Sequence, residues 1–248
     1  MGYVKRIACL ANSYKAPLGR CIAGKEILAN GAAGPWIRPI SSRPKGELAS
    51  AEYSYRAGGR PQILDIIDVP LLRPTGEKPQ TENHVIDPNG EWKKAGELDW
   101  RDLDRFADHP KTIWINSQST GEGHNDRMSA GEGASLNGSL LLIKSPEFTV
   151  EVLSSRVTGR RGYRGRFFYR ERYYNFSLTD PAVPEKFDAQ QEGDYRLEDV
   201  YLCLSLTRPF EFDGRCYKLV AAMINKREAG KKATSERQLG IPAVARTA

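Results

Sequence analysis

RVTGRRGYRGRFFYRERYY, residues 156–174, contains seven arginines, six aromatic residues and a single acidic residue. Successive side chains of a β-strand point to opposite faces, and the second part of this stretch alternates accordingly. One face would carry Arg164, Arg166, Phe168, Arg170, Arg172 and Tyr174. The other face would carry Tyr163, Phe167, Tyr169 and Tyr173. The pattern therefore predicts one strand with an aromatic, core-facing side and an outer side rich in a single sign of charge.

The outer side of this predicted strand has the composition of a nucleic-acid contact surface. Barrels that bind single-stranded nucleic acid combine cations for phosphates with aromatic rings for bases. Under this hypothesis the four arginines contact phosphates, and the two aromatic residues, Phe168 and Tyr174, stack on bases. The alternative is a solvated edge strand that its charges protect from aggregation.

The charge of the whole chain agrees with a polyanionic partner. The 248 residues carry a formal net charge of +6, and residues 156–174 contribute as much, seven arginines less Glu171. Such a local excess is typical of surfaces that meet nucleic acid or an anionic membrane. No apolar run approaches the ~18 residues of a membrane span, and the first residues lack the apolar core of a secretory signal. These features favour a cytoplasmic protein that binds nucleic acid and no membrane.

Strand signals dominate the rest of the chain. Many short β-rich runs, such as ILDIIDVPLL at residues 63–72, lie between Gly, Pro, Asn or Ser, whereas helix signals are few. One helix is predicted after Asp99, which would cap its N-terminus and allow Leu103, Phe106 and Ala107 to be buried before the helix ends ahead of Pro110. Many strands with sparse helices predict a mainly β fold of the barrel or sandwich type.

The segment 117–138, SQSTGEGHNDRMSAGEGASLNG, is rich in Gly and Ser and nearly free of large apolar side chains. Such composition predicts a linker or a long functional loop. We therefore expect a first β-barrel over residues 1–138, with this loop at its end, and a second over residues 139–224. Residues 225–248 have many charges and few apolar anchors, which predicts a basic flexible tail.

A second candidate site follows the first predicted strand. Asn12, Ser13, Lys15 and Arg20 cluster in sequence around a turn that contains Pro and Gly. An amide, a hydroxyl and two cations near such a turn predict a loop that holds a phosphate or a base, although the order of a P-loop is absent. The alternative is a packed turn with exposed charges.

Trp36 and Arg38 are two residues apart and so share one face of a predicted strand. A Trp–Arg pair stacks on bases in nucleic-acid sites, but it also serves as an internal cation–π brace. We count both residues as candidate nucleic-acid contacts.

The four cysteines and three histidines do not predict a metal centre. The cysteines at positions 9, 21, 203 and 216 lack CxxC spacing, and no histidine stands near them in sequence to complete a site. We therefore expect no structural metal and no cofactor, and we assign no catalytic residue.

Several motifs resemble those of the bacterial dual OB-domain family. The motifs are CLANSYKxxxxRCIAG at residues 9–24, PWIRPIS at 35–41, YNFSLTDP at 174–181 and SLTRPFEFDGRCYKLVAAMI at 205–224. The resemblance spans residues 3–224. It implies two OB-like β-barrels, a presumed role in binding nucleic acid, and association with bacterial defence or mobile-element systems.

The sequence leaves three functions open. The first is a nucleic-acid-binding protein without catalytic residues, which prefers single strands or the backbone, as such barrels bind through stacking and charge. The second is an enzyme that processes a nucleotide or nucleic acid with the loop at residues 12–20. The third is an interaction scaffold of a defence complex, whose basic face meets an acidic protein.

Overall fold

The computed structural model describes residues 2–15, 19–56, 58–154 and 159–226. Its strands are β1 Tyr3–Lys15, β2 Gly19–Ile27, β3 Ala33–Ile40, β4 Asp65–Pro74, β5 Asn83–Ile86, β6 Lys93–Glu97, β7 Arg127–Ser129, β8 Leu140–Ser154, β9 Arg161–Tyr169, β10 Arg172–Leu178, β11 Gly193–Leu206 and β12 Arg215–Ile224. Its α-helices are α1 Ala130–Ala134 and α2 Ala182–Phe187, and 3₁₀-helices span Ser50–Glu52 and Trp100–Phe106.

The first half of the chain forms a closed five-stranded barrel. The strand order is β1-β2-β3-β5-β4, and the barrel closes because β4 also pairs with β1. β3 pairs in parallel with β5, whereas the other pairs are antiparallel. The interior is filled by alternate residues of these strands, among them Ile7, Ile22, Ile37 and Ile67. A small five-stranded Greek-key barrel of this kind is an OB fold.

The second half repeats the same path with β8 to β12. The order is β10-β9-β8-β11-β12, and β10 meets β12 in parallel through the pairs Ser177–Leu219 and Leu178–Val220. Its core contains Phe148, Phe167, Tyr174 and Phe176 among others. The predicted mainly β fold with two OB-like barrels and few short helices is therefore confirmed. Residues 227–248, most of the predicted tail, lie outside the described residues.

A third apolar cluster joins the two barrels. It combines Leu10 and Ala23 of the first barrel with Leu142 and Tyr201 of the second. The 3₁₀-helix Trp100–Phe106 adds Leu103 and Phe106 to this cluster. Asp99 accepts a hydrogen bond from the Arg101 amide at the start of that helix, as predicted for its cap. Because residues of both barrels are buried in this one cluster, the two barrels pack against each other.

The predicted linker at residues 117–138 is instead part of the second half. Its strand β7 pairs with β12, and α1 follows directly with a Ser129–Glu132 capping box. The preceding turn lies on β10, where His124 and Asn175 exchange two backbone hydrogen bonds. Composition predicted a loop because a segment held by backbone and cap hydrogen bonds needs few large apolar side chains. Within the described part of the chain, no helix is long and apolar enough to cross a membrane.

Candidate nucleic-acid interface

The arginine-rich stretch is a hairpin and not one strand. β9 ends at Tyr169, β10 begins at Arg172, and these two residues face each other across the ladder. Arg170 and Glu171 form the two-residue turn with φ of 46° and 65°, the left-handed values that a type I′ hairpin turn requires. A two-residue turn brings residues i and i+3 onto the same face, whereas one continuous strand places them on opposite faces. The prediction of which residues share a face is therefore correct for the residues that precede the turn and inverted for those that follow it.

The reversal exchanges the roles of two tyrosines. Tyr174, predicted to stack on bases, is fully buried and stacks on Phe167 with ring centroids 5.4 Å apart. Tyr173, predicted to face the core, lies beside Phe168 on the outer side, 5.4 Å between centroids. The prediction that Tyr174 lies on the outer surface is wrong, because the turn changes the parity of the alternation.

Arg164 lies on the predicted side, but that side is covered at this position. Its Nη2 is 3.1 Å from Asp126 Oδ2, and its Nε donates to Asn175 Oδ1 at 2.9 Å. The side chain is 8% exposed. The turn that carries Asp126 approaches so closely that a Cβ at Gly123 would lie 2.3 Å from Arg164 Nη2. Its predicted exposure is therefore wrong: the guanidinium is an internal brace for residues 119–126.

The open part of the hairpin is its tip. Arg166 is half-buried and forms ion pairs with Asp194 and Glu151. Phe168, in contrast, is 65% exposed, and Arg170 and Arg172 are exposed. We call Phe168, Arg170 and Arg172 the hairpin tip; these three predicted contacts remain accessible to a ligand, although Arg172, the partner of Tyr169, lies on the opposite face from Phe168 and not on the predicted one.

The predicted loop at residues 12–20 is a second hairpin. β1 extends to Lys15 and β2 starts at Gly19, so only residues 16–18 connect them, and these lie outside the described residues. Asn12 donates to Pro61 O at 2.8 Å, Ser13 is buried, and Arg20 stacks over Tyr14 at 4.3 Å. Because Tyr14 is paired with Arg20, strand alternation separates Arg20 from Lys15. The four residues do not form one loop site.

Lys15 lies instead in a cavity of about 200 Å³ with four cations from distant parts of the chain. These cations are Arg43, Lys45, Arg73 and Arg208. We call the cavity and its five cations the basic pocket. Buried side chains, among them Ile40 and Val85, line it as well, whereas the four additional cations are exposed. The pocket is therefore a pit with an apolar and amide base and a cationic rim.

The charges of the basic pocket are incompletely compensated. Glu77 is the one carboxylate among its described lining residues, and it pairs with Arg208 at 2.6 Å. Arg43 reaches Glu52 at 3.6 Å. No ion pair involves the remaining cations, Lys15, Lys45 and Arg73, within the described ranges.

The pKa of Lys15 is lowered, mainly by burial. Burial lowers the pKa of its ammonium, and the nearby charges of Arg38 and Arg208 lower it further, against the opposing effects of Cys21 and Glu47. An anion in the pocket would favour the protonated ammonium, because an opposite charge within a few ångströms stabilises the charged form.

Trp36 and Arg38 share one face of β3, as predicted, but this face meets the second barrel. Arg38 is 1% exposed, and its guanidinium lies 3.0 Å from Glu82 Oε1 and donates to Ser139 Oγ at 2.9 Å. The prediction that Arg38 is a surface contact is wrong, because packing of the two barrels covers it. Trp36 donates its indole N–H to Asp108 at 3.1 Å.

Trp36 also lines a second cavity, of about 520 Å³, together with Trp114 and His84. Burial lowers the pKa of His84, and its Nδ1 is 2.6 Å from the Tyr3 hydroxyl. This cavity is separate from the basic pocket: β5 contributes His84 to one cavity and its neighbours Asn83 and Val85 to the other.

Most of the basic pocket has no signature in the sequence. Arg43 and Lys45 stand in SSRPKG, a short polar segment, and Arg73 and Arg208 each precede a proline. Each of these residues by itself is an ordinary surface cation. The candidate site becomes visible only when the fold brings the side chains together around one cavity. Among the described residues, no group of three or more His, Cys, Asp or Glu could hold a metal ion.

The comparisons with known proteins agree with this architecture. No curated protein matches the chain. A family model, described as the dual OB-containing domain, matches residues 5–223, a range that includes most of β1, both barrels and most of β12. The chain therefore belongs to the family of dual OB-containing domains.

Proposed function

We propose that this protein binds nucleic acid and that the basic pocket contacts its phosphates. One observation carries the proposal: five cationic side chains from four separate segments converge on one cavity lined by a single carboxylate among the described residues. Clustered cations of this kind repel one another, so a bound polyanion would stabilise the arrangement. Phosphate neutralisation of this type supplies most of the sequence-independent affinity for nucleic acid.

The fold and the exposed aromatic residues support single-stranded nucleic acid as the ligand. OB-type barrels bind single strands by combining a cationic surface with aromatic rings on which bases stack. Phe168 and Phe212 are 65% and 76% exposed, so their rings are accessible for such stacking. We propose the hairpin tip as a second contact, in which Arg170 and Arg172 meet phosphates and Phe168 stacks on a base.

The cellular setting is also a proposal. The resemblance of the motifs to the bacterial family supports a role in a defence or mobile-element system within the cytoplasm, together with other proteins of that system. Nucleic-acid binding is the molecular activity that such a role would use.

Fluorescence anisotropy with single- and double-stranded DNA and RNA at two salt concentrations tests the proposal. We expect single strands to bind most tightly and the affinity to fall with salt. The variant Lys45→Ser/Arg73→Ser removes two exposed cations of the pocket. If both contact phosphates, the slope of log affinity against log salt should decrease in magnitude by roughly 1.4 for a single strand.

Arg105→Ser/Arg196→Ser is the matched control. It removes two exposed arginines, 62% and 80% accessible, outside the pocket, with the same change in net charge. The control should keep the salt slope of the parent. An absence of binding to every nucleic acid at low salt, or an equal loss in both double variants, would contradict the proposal.

A further inference from the structure

We propose that the basic pocket holds the terminal phosphate of a nucleic-acid strand, a phosphomonoester, and not a phosphodiester within the strand. This inference rests on the proposed function and names the part of the nucleic acid that enters the pocket.

The size and shape of the pocket favour a strand end. Its volume of about 200 Å³ is below the roughly 300–1,000 Å³ of pockets that enclose drug-sized ligands, so it fits a phosphate group better than a whole nucleotide. Buried residues, Ile40, Asn83 and Val85, form its base, and exposed cations form its rim. A strand end reaches the base of such a pit directly, whereas an internal phosphodiester must also leave it in a second direction.

The charge of the pocket favours a phosphomonoester over a phosphodiester. The lining carries five cations and Glu77, a formal charge of +4 from five positive and one negative groups. A phosphomonoester carries about −1.5 to −2 at neutral pH and offers three acceptor oxygens, whereas each internal phosphate of a strand carries one charge. A terminal phosphate therefore compensates more of the excess within the same volume.

A buried hydroxyl also lies next to the cavity. Thr75 lines the pocket, and its hydroxyl oxygen is buried and has no hydrogen-bond partner within the described residues. Buried polar groups are rarely left unpaired; this oxygen has almost no accessible surface, so a phosphate oxygen would accept from it only after the Thr75 side chain rotates toward the cavity. Lys15, half-buried on the same lining, would be the innermost cation for this group.

Oligonucleotides that differ only at their ends test the inference. Single strands of about twelve nucleotides, within the site size of OB barrels, carry a 3′ fluorophore and either a 5′-phosphate or a 5′-hydroxyl. A second pair carries a 5′ fluorophore and either a 3′-phosphate or a 3′-hydroxyl. With the full chain, we expect one phosphorylated strand to bind about tenfold or more tightly than its hydroxyl partner; the pair that responds identifies the end.

Single variants test whether the preference for a terminal phosphate arises in the basic pocket. Lys15→Met should bring the ratio of the two affinities close to one, and Arg73→Ser, at an exposed position, provides the same test should Lys15→Met fail to fold. Arg170→Ser at the hairpin tip is the control, which should weaken both strands alike and keep the ratio.

Three results would overturn the inference, and they differ in what else they affect. Equal binding of phosphorylated and hydroxyl strands by the parent refutes the terminal phosphate and leaves the proposed function standing. A ratio that survives in both pocket variants refutes the assignment to this pocket. Failure to bind any strand refutes the proposed function and, with it, the inference.

Discussion

Replacing Arg38 by methionine should destabilise the protein without removing a ligand contact. Arg38 and Glu82 are 1% and 5% exposed, and their charged atoms lie 3.0 Å apart between the two barrels. Arg38→Met keeps much of the side-chain volume but leaves the Glu82 carboxylate buried without its counter-ion. Breaking a buried pair from one side costs about 3–5 kcal/mol, a large part of the roughly 5–15 kcal/mol that stabilises a folded domain.

Urea titration followed by tryptophan fluorescence measures this loss. With an m-value of about 3 kcal/mol per molar urea, a loss of that size lowers the midpoint by roughly 1–1.7 M. Glu82→Gln should be costly as well, because it leaves Arg38 without a carboxylate. The double variant Arg38→Met/Glu82→Gln should cost less than the sum of the single variants, by about 0.5–3 kcal/mol, as expected for residues in one network.

Two results would refute the structural role of Arg38. An unchanged urea midpoint for Arg38→Met, combined with loss of nucleic-acid binding by the folded variant, would mean that Arg38 contacts the ligand. Additive effects of the two single variants would mean that the pair is not coupled.

Two further predictions concern buried cations of the second barrel. Burial lowers the pKa of Lys218 to about 7 from its ordinary 10.5; between these values the unfolded chain binds more protons, so stability should rise with pH. Lys218→Met removes that dependence. The difference in unfolding free energy between parent and variant should therefore change by roughly 2 kcal/mol between about pH 7.5 and about pH 9.5. A difference that stays constant over this range would contradict the lowered pKa of Lys218. Arg164→Ser leaves the Asp126 carboxylate buried, with Thr120 as its remaining hydrogen-bond partner among the described residues, and should cost about 3 kcal/mol in a urea titration. Arg172→Ser at the hairpin tip should cost within about 0.5 kcal/mol. Equal stability of the two arginine variants would contradict the burial of Arg164.

Local features of the fold were predictable from the sequence. Strand alternation correctly places Phe167 in the core and Phe168 outside it, because side-chain direction within one strand depends only on parity. The cap at Asp99 and the burial of Leu103 and Phe106 were predictable for a similar reason, since capping and helical periodicity act over a few residues. The mainly β class follows from many such local signals together.

The tertiary structure decided at which residue the inward–outward alternation of side chains changes parity, and which outward-facing side chains remain exposed. The turn at Arg170 and Glu171 contains neither Gly nor Asn, the usual signals of a type I′ turn, so the change of parity that buries Tyr174 had no local signature. Arg164 had the sequence context of a surface residue and is covered by a turn some 40 positions earlier in the chain. Burial of that kind depends on long-range backbone pairing, which no short window of sequence contains.

The basic pocket likewise depends partly on local sequence and partly on contacts between distant parts of the chain. The sequence by itself determined an excess of positive charge, a β-rich chain and the two barrels that its motifs resemble. The tertiary structure brought Lys15, at the end of β1, next to Arg73 on β4 and Arg208 after β11. The physical reason is barrel closure: hydrogen bonds between strands distant in sequence set which cations meet, while composition and periodicity set only how many cations exist and which local face each occupies.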